Sequence, residues 1–223
     1  MRRRCCLRIS DLEPQTSGLG HCFGLTGGIA CGKSTVARFF QDLGAYIFDA
    51  DRVGHEVIEP GQAAYQEILK HFGKEVIDSG GRIDRRKLGP RVFANLKQLR
   101  QLNAIVHPQI IVRVNKLAAQ EREQNPHAVM IVDAALIFEA GLASTLRKVI
   151  VVWCRPEQQL ERLMAKTGLP REDAEQRIKA QMPAEEKRRR ADYVIDCSGT
   201  LEQSRAQVEA IYHELQHILQ ESA

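Results

Sequence analysis

Aromatic side chains are scarce, at 5% of 223 residues with a single Trp. That density offers no visible stacking platform for single-stranded nucleic acid. No apolar run approaches the roughly 20 residues that a membrane-spanning helix requires. Six cysteines are present (Cys5, Cys6, Cys22, Cys31, Cys154 and Cys197). They show neither C-x-x-C spacing nor paired metal knuckles, so they read as reduced thiols of a cytoplasmic protein. The start, Met1-Arg2-Arg3-Arg4-Cys5-Cys6-Leu7-Arg8, is basic, but Arg8 and Asp11 interrupt the apolar core that a secretory signal needs. Residues 1–20 are therefore expected to form a disordered extension. Charge of one sign is also in short supply: the net charge of +4 suits an anionic small molecule and demands neither nucleic acid nor membrane.

Against these absences stands one strong motif. Gly27-Gly28-Ile29-Ala30-Cys31-Gly32-Lys33-Ser34 fits G-x-x-x-x-G-K-[ST] in full. The apolar run Cys22–Thr26 before it reads as a buried strand. Lys33 to Leu43 after it, with Val36, Phe39, Phe40 and Leu43 apolar, reads as an amphipathic helix. In that setting the backbone amides from Gly28 to Thr35 are expected to curl around phosphate oxygens, helped by the partial positive charge of the helix start. Lys33 is expected to reach the β- and γ-phosphates of a nucleoside triphosphate and the Ser34 hydroxyl to contact Mg²⁺.

Four more apolar runs alternate with helical patterns: Ala45–Phe48, Ala128–Val132, Lys148–Trp153 and Tyr193–Ile195. The alternation predicts a five-stranded parallel sheet with helices on both faces, the three-layer α/β fold of P-loop NTPases. Ligands in such sheets bind at the carboxyl ends of the strands, which brings Asp49, Asp51, Asp133, Arg155 and Asp196 towards Lys33. The core is expected to comprise residues 21–60, 126–154 and 190–223. Residues 61–125 read as a helical insertion, with helices over Gln62–Phe72, Arg85–Phe93, Leu96–Ile105 and Gln109–Glu123 and a break at His107-Pro108. Residues 155–189 read as a lid of two charged helices around Gly168-Leu169-Pro170.

Asp49-Ala50-Asp51 follows the second strand. A carboxylate there can take a proton from an acceptor hydroxyl and orient it for in-line attack. On an extended chain the two carboxylates point opposite ways, so only one is expected to face the acceptor. Asp133 is either a strand-end residue or a carboxylate on Mg²⁺, and the residues leave both open. Arg155, Arg162, Lys166, Arg177 and Lys179 make the lid basic, whereas Arg188-Arg189-Arg190 reads as a solvated charge run. Cys31 has two readings. A thiol at a helix start beside Lys33 is expected to have a lowered pKa, and the alternative is an inert small filler.

Taken together, the chain resembles the dephospho-coenzyme A kinases. The resemblance rests on Leu25-Thr26-Gly27-Gly28-Ile29 with Gly32-Lys33-Ser34-Thr35, on Asp49-Ala50-Asp51, and on Glu59-Pro60-Gly61 and His71-Phe72-Gly73. It continues through Phe93-Ala94-Asn95, Leu102-Asn103 with His107-Pro108, Leu136-Ile137-Phe138-Glu139, Gln159-Leu160-Glu161-Arg162 and Asp192-Tyr193-Val194-Ile195-Asp196. These segments run in order from about residue 22 to 199. The resemblance implies transfer of the ATP γ-phosphoryl group to the ribose 3′-hydroxyl of dephospho-coenzyme A, with Mg²⁺. It implies Asp51 as base with Asp49 beside it, and Arg162 as the lid arginine. Acceptor binding would fall to the insertion around His107 and to Phe138 and Glu139, and adenine binding to Asp196 and Cys197. A cytoplasmic monomer or small homo-oligomer is expected. The chain departs from the family pattern at Ala30-Cys31 (usually Gly-Ser), Ala135 (usually Pro), Lys166 (usually Arg) and Cys197 (usually Asn). A lysine cannot make arginine's bidentate phosphate fork.

Overall fold

Side-chain alternation along the central strands sorts residues onto two faces, and each face acquires its own layer of helices. The computed structural model describes residues 19–93 and 95–221. Its strands are β1 (Cys22–Gly27), β2 (Tyr46–Asp49), β3 (Met130–Asp133), β4 (Val149–Trp153) and β5 (Tyr193–Asp196). All pair in parallel in the order β2-β3-β1-β4-β5. The predicted five-stranded three-layer α/β sheet is thus present. The strand order reverses direction around β1, where such sheets bind ligands.

Phe23, Leu25, Ile131, Ile150 and Val152 point to one face. There they bury Val36 and Phe40 of α1 (Lys33–Asp42) and Val208, Ile211 and Leu215 of α9 (Leu201–Gln220). Cys22, Met130, Val132, Val149 and Val151 point to the other. They meet Ala50 and Val53 of α2 (Ala50–Glu56) and Val114 and Ala118 of α5 (Leu96–Gln124). Period-two burial of this kind is what a sheet covered on both faces requires. Thr200 and Gln203 cap the start of α9 with a reciprocal pair of hydrogen bonds.

The insertion carries α3 (Ala63–Phe72), α4 (Arg85–Phe93) and α5. Ile68, Phe72, Val76, Leu88 and Val92 form a third core against Leu99, Leu102 and Ile105 of α5. The predicted break at His107-Pro108 does not occur, because α5 runs unbroken for 29 residues. An interior proline costs about 3 kcal/mol. Opposing that cost, Val106, Ile110, Val114, Leu117 and Ala118 form one apolar stripe across Pro108. Each large side chain that is fully buried contributes about 1.5–3 kcal/mol. Burial of Val114 and Ala118, with the partly buried Val106, Ile110 and Leu117 beside them, opposes the cost of the proline.

The segment expected to form a lid carries α6 (Pro156–Thr167) and α7 (Arg171–Lys179), with the short α8 (Ala184–Arg190) leading back to β5. The expected extension over residues 1–20 lies outside the described residues up to residue 18. Its last two residues are ordered: Leu19 and Gly20 belong to a 3₁₀ turn (Leu19–His21), and Leu19 is buried against the sheet.

Candidate active site

The phosphate loop leaves β1 at Gly27 and enters α1 at Lys33. Two constraints shape it. A Cβ on Gly27 would come within 2.6 Å of the Val152 carbonyl, so the strand fits there only without a side chain. Gly32 takes φ 101° at the helix cap, a left-handed conformation that glycine adopts without steric cost. Ala30 also stands at positive φ, 60°, which costs an alanine about 1–2 kcal/mol. Strain of this kind persists where surrounding contacts over-determine the backbone. Here the carbonyl of Ile29 accepts from Gln159 Nε2 at 2.9 Å, and its N–H donates to Gln181 Oε1 at 3.0 Å.

The ammonium of Lys33 pairs with the carboxylate of Asp133 at the end of β3. Burial holds the Asp133 carboxyl above its usual range. Lys33 pulls it back down, and the charges of Asp49 and Asp51 push it up again. Asp49 and Asp133 stand opposite each other in the β2–β3 register. The expectation that Asp49 and Asp51 face opposite ways along an extended chain is corrected, because the strand ends at Asp49 and Asp51 lies in the first turn of α2. Asp49 is the cap of that helix and accepts from Arg52 N at 2.9 Å. Asp51, beside it, is solvent-exposed. One carboxylate builds the helix while its neighbour stays available.

Arg162 lies beside the end of β5. Its Nη2 donates to the Cys197 carbonyl at 2.9 Å, and it lines a cleft with Gly32, Thr35, Cys197, Gly199 and Ser204. Asp196 turns the chain after β5, accepting from Ser198 N at 2.8 Å. Ser34 is exposed at the start of α1.

On the other side, His107 of α5 hydrogen-bonds the Ala140 backbone. Burial holds its imidazole below the ordinary histidine value, and that bond opposes the shift. Phe138 packs in the same region. Glu139 Oε1 accepts from Met182 N at 3.0 Å and Lys187 Nζ at 2.9 Å. Lys187 is fully buried and also donates to the Ala135 carbonyl at 2.8 Å, an acceptor shared with Thr26 Oγ1 at 3.1 Å.

One further expectation changes. Cys31 is fully buried, and its thiol lies against Cys154. The contact with Cys154 and burial together push the Cys31 thiol up, against the lowering expected from the helix start. The charge run at 188–190 is exposed, as expected, and its Arg188 guanidinium stacks 4.6 Å from the Trp153 ring centre. Gln159, Gln181 and Lys187 were not singled out in sequence as site residues. Gln159 carries a visible signal within Gln159-Leu160-Glu161-Arg162, whereas Lys187 is hidden in the run Glu185-Glu186-Lys187-Arg188-Arg189-Arg190.

Among the described residues no group of three or more His, Cys, Asp or Glu side chains is placed to hold a metal ion. The oxygen donors near the loop are the Ser34 hydroxyl and the carboxylates around Lys33. That set fits a hard cation such as Mg²⁺, which takes one or two protein ligands and otherwise water and phosphate oxygens. Among the described residues no helix is long and apolar enough to cross a membrane.

Residues 21–203 match the protein family described as dephospho-CoA kinase. A dephospho-CoA kinase of Carboxydothermus hydrogenoformans is 45% identical over 185 residues, covering 83% of this chain and 89% of the relative. Another from Bacillus licheniformis is 48% identical over 188 residues, covering 83% of this chain and 92% of the relative. The solved structure of dephospho-CoA kinase from Campylobacter jejuni aligns over 88% of this chain and 98% of its own, with a TM-score of 0.62 and 30% identity. A match across most of the length, in both sequence and fold, leaves one assignment: the chain belongs to the dephospho-CoA kinase family.

Proposed function

We propose that this protein transfers the γ-phosphoryl group of ATP to the 3′-hydroxyl of dephospho-coenzyme A, giving coenzyme A and ADP, with Asp51 as the base. The observation that carries this reading is the gathering of Lys33, Asp133, Asp49 and Asp51 at the carboxyl ends of β1, β2 and β3 in a chain of this family.

The loop amides between Gly28 and Thr35, other than that of Ile29, whose N–H is taken by Gln181, hold the phosphates together with the start of α1. Lys33 moves its charge from Asp133 towards the β- and γ-oxygens. Ser34 holds Mg²⁺, which when bound neutralises charge on those oxygens. Asp51 accepts the proton of the acceptor hydroxyl, whose oxygen bonds to the γ-phosphorus as the bond to the ADP oxygen breaks. No covalent enzyme intermediate is needed. Asp49 supports Asp51 through the α2 cap. His107, Phe138 and Glu139, with the insertion over 61–125, hold the acceptor. Arg162, Asp196 and Cys197 hold the nucleotide, and the lid over 155–189 excludes the water that would hydrolyse ATP. Unpaired thiols at Cys22, Cys31, Cys154 and Cys197 suit a reducing cytoplasm. We place the enzyme there as a monomer or small homo-oligomer that binds neither nucleic acid nor membrane.

The test is ADP release with ATP and Mg²⁺ against a panel of acceptors. Strong stimulation by dephospho-coenzyme A, with coenzyme A formed in step with ADP, is expected. Preference for a nucleoside or sugar, or ATP turnover that no acceptor stimulates, would overturn it.

A further inference from the structure

The segment from Gln181 to Lys187 joins the lid to the core, and it touches both halves of the candidate site. At its first residue, Gln181 Oε1 accepts the N–H of Ile29 at 3.0 Å, inside the phosphate loop. One residue on, Met182 N donates to Glu139 Oε1 at 3.0 Å. At its far end, Lys187 Nζ donates to the same Glu139 oxygen at 2.9 Å and to the Ala135 carbonyl at 2.8 Å.

Three features make this more than a surface contact. Lys187 has no exposed surface, and a buried ammonium is costly unless paired and hydrogen-bonded. Its partners belong to one short loop, residues 135–139, which continues into Ala140 and so to His107 of α5. Ile29 is held at both polar groups of its backbone, since Gln159, only 4% exposed, donates to its carbonyl at 2.9 Å. Ile29 also precedes Ala30, the loop residue held in left-handed conformation. Polar bonds therefore run from the phosphate loop through the strap Gln181–Lys187 to the loop beside His107.

We propose that Gln181 and Lys187 are positioning residues, and that the strap between them sets the distance between the phosphate loop and the 135–139 loop. This rests on the reading of the protein as a phosphoryl-transfer enzyme with its donor on the first loop and its acceptor beside the second. In-line transfer needs the two reactants within a narrow range of separation, and a misplacement of about 1 Å costs on the order of 10²-fold in rate. The strap acts on that separation and makes no contact with either reactant.

The experiment measures kcat, and the dissociation constants of a non-hydrolysable ATP analogue and of dephospho-coenzyme A, for wild type, Gln181→Leu, Lys187→Met and the double variant. Each single variant is expected to lower kcat by roughly 10- to 100-fold. Both dissociation constants should stay within about threefold, and the double variant should be no slower than the worse single, because the two act on one strap. An effect confined to the nearer ligand's affinity, unchanged kcat, or rate losses that multiply would overturn the proposal. Lys187→Met removes a buried charge and is the variant at risk of not folding. Gln181, half-buried at the lid edge, then decides alone: a loss in kcat with both affinities kept supports the strap, and any other result refutes it. Wild-type coenzyme A formation is measured alongside. If it is absent, the functional reading fails; if it is present and the variants match it, only the strap fails.

Discussion

The ammonium of Lys33 and the carboxylate of Asp133 form an ion pair across the carboxyl ends of the strands at the switch point. The pair sits in an acidic setting, because Asp49 and Asp51 both act on Asp133. Lys33 is therefore the cation that faces these carboxylates, and the role proposed for it in the reaction requires an exchange of partners.

Replacing Lys33 by methionine should lower turnover by about 10²–10³-fold, the scale of losing one charge-stabilising group. It should also raise the Asp133 pKa further, since the one attractive charge on that carboxyl is gone. Steady-state kinetics together with an NMR titration of Asp133 checks both. Turnover within tenfold of wild type, or an unmoved carboxyl, would contradict the role assigned to the pair.

His107 links the stability of the fold to pH. Burial holds its folded-state pKa below the ordinary value of 6.5, so the unfolded chain takes up the proton first. Its contribution to stability is present above pH 6.5 and is lost as pH falls through the folded value. Chemical denaturation of wild type between pH 7.5 and about pH 5 should show a decline that His107→Gln lessens. An identical decline in both proteins would remove His107 from this role.

Cys31 should be inert. It and Cys154 have no exposed surface, and the Cys31 thiol is pushed up rather than down. Peptide-resolved labelling of the native protein with a thiol reagent should leave Cys31 unmodified until the chain is unfolded, with or without ATP. Rapid native labelling that ATP prevents would restore the reactive reading.

Much of this was legible in the residues. The loop motif, the aliphatic runs ending in Asp49, Asp133 and Asp196, and the two lid helices are local patterns, and each became an element near its expected place. What failed depends on partners distant in sequence. Pro108 reads as a helix breaker until Val114 and Ala118 find the sheet. A thiol beside Lys33 reads as activated until Cys154 and the core close around it. Lys187 is hidden in a run of charges, and its partners are Glu139, 48 positions earlier in the numbering, and Ala135. Asp49 and Asp51 look equivalent in sequence, and only the turn from β2 into α2 gives one a cap to make and leaves the other available.

The central claim is that Asp51 readies the acceptor hydroxyl while the phosphate loop holds ATP, and the Asp51→Asn variant tests it most directly. Rapid-quench measurement of coenzyme A formation, paired with calorimetric titration of an ATP analogue, separates chemistry from binding. We expect the transfer rate to fall by about 10²–10⁴-fold, the usual contribution of a general base, with nucleotide affinity unchanged. Transfer at close to the wild-type rate would contradict the account.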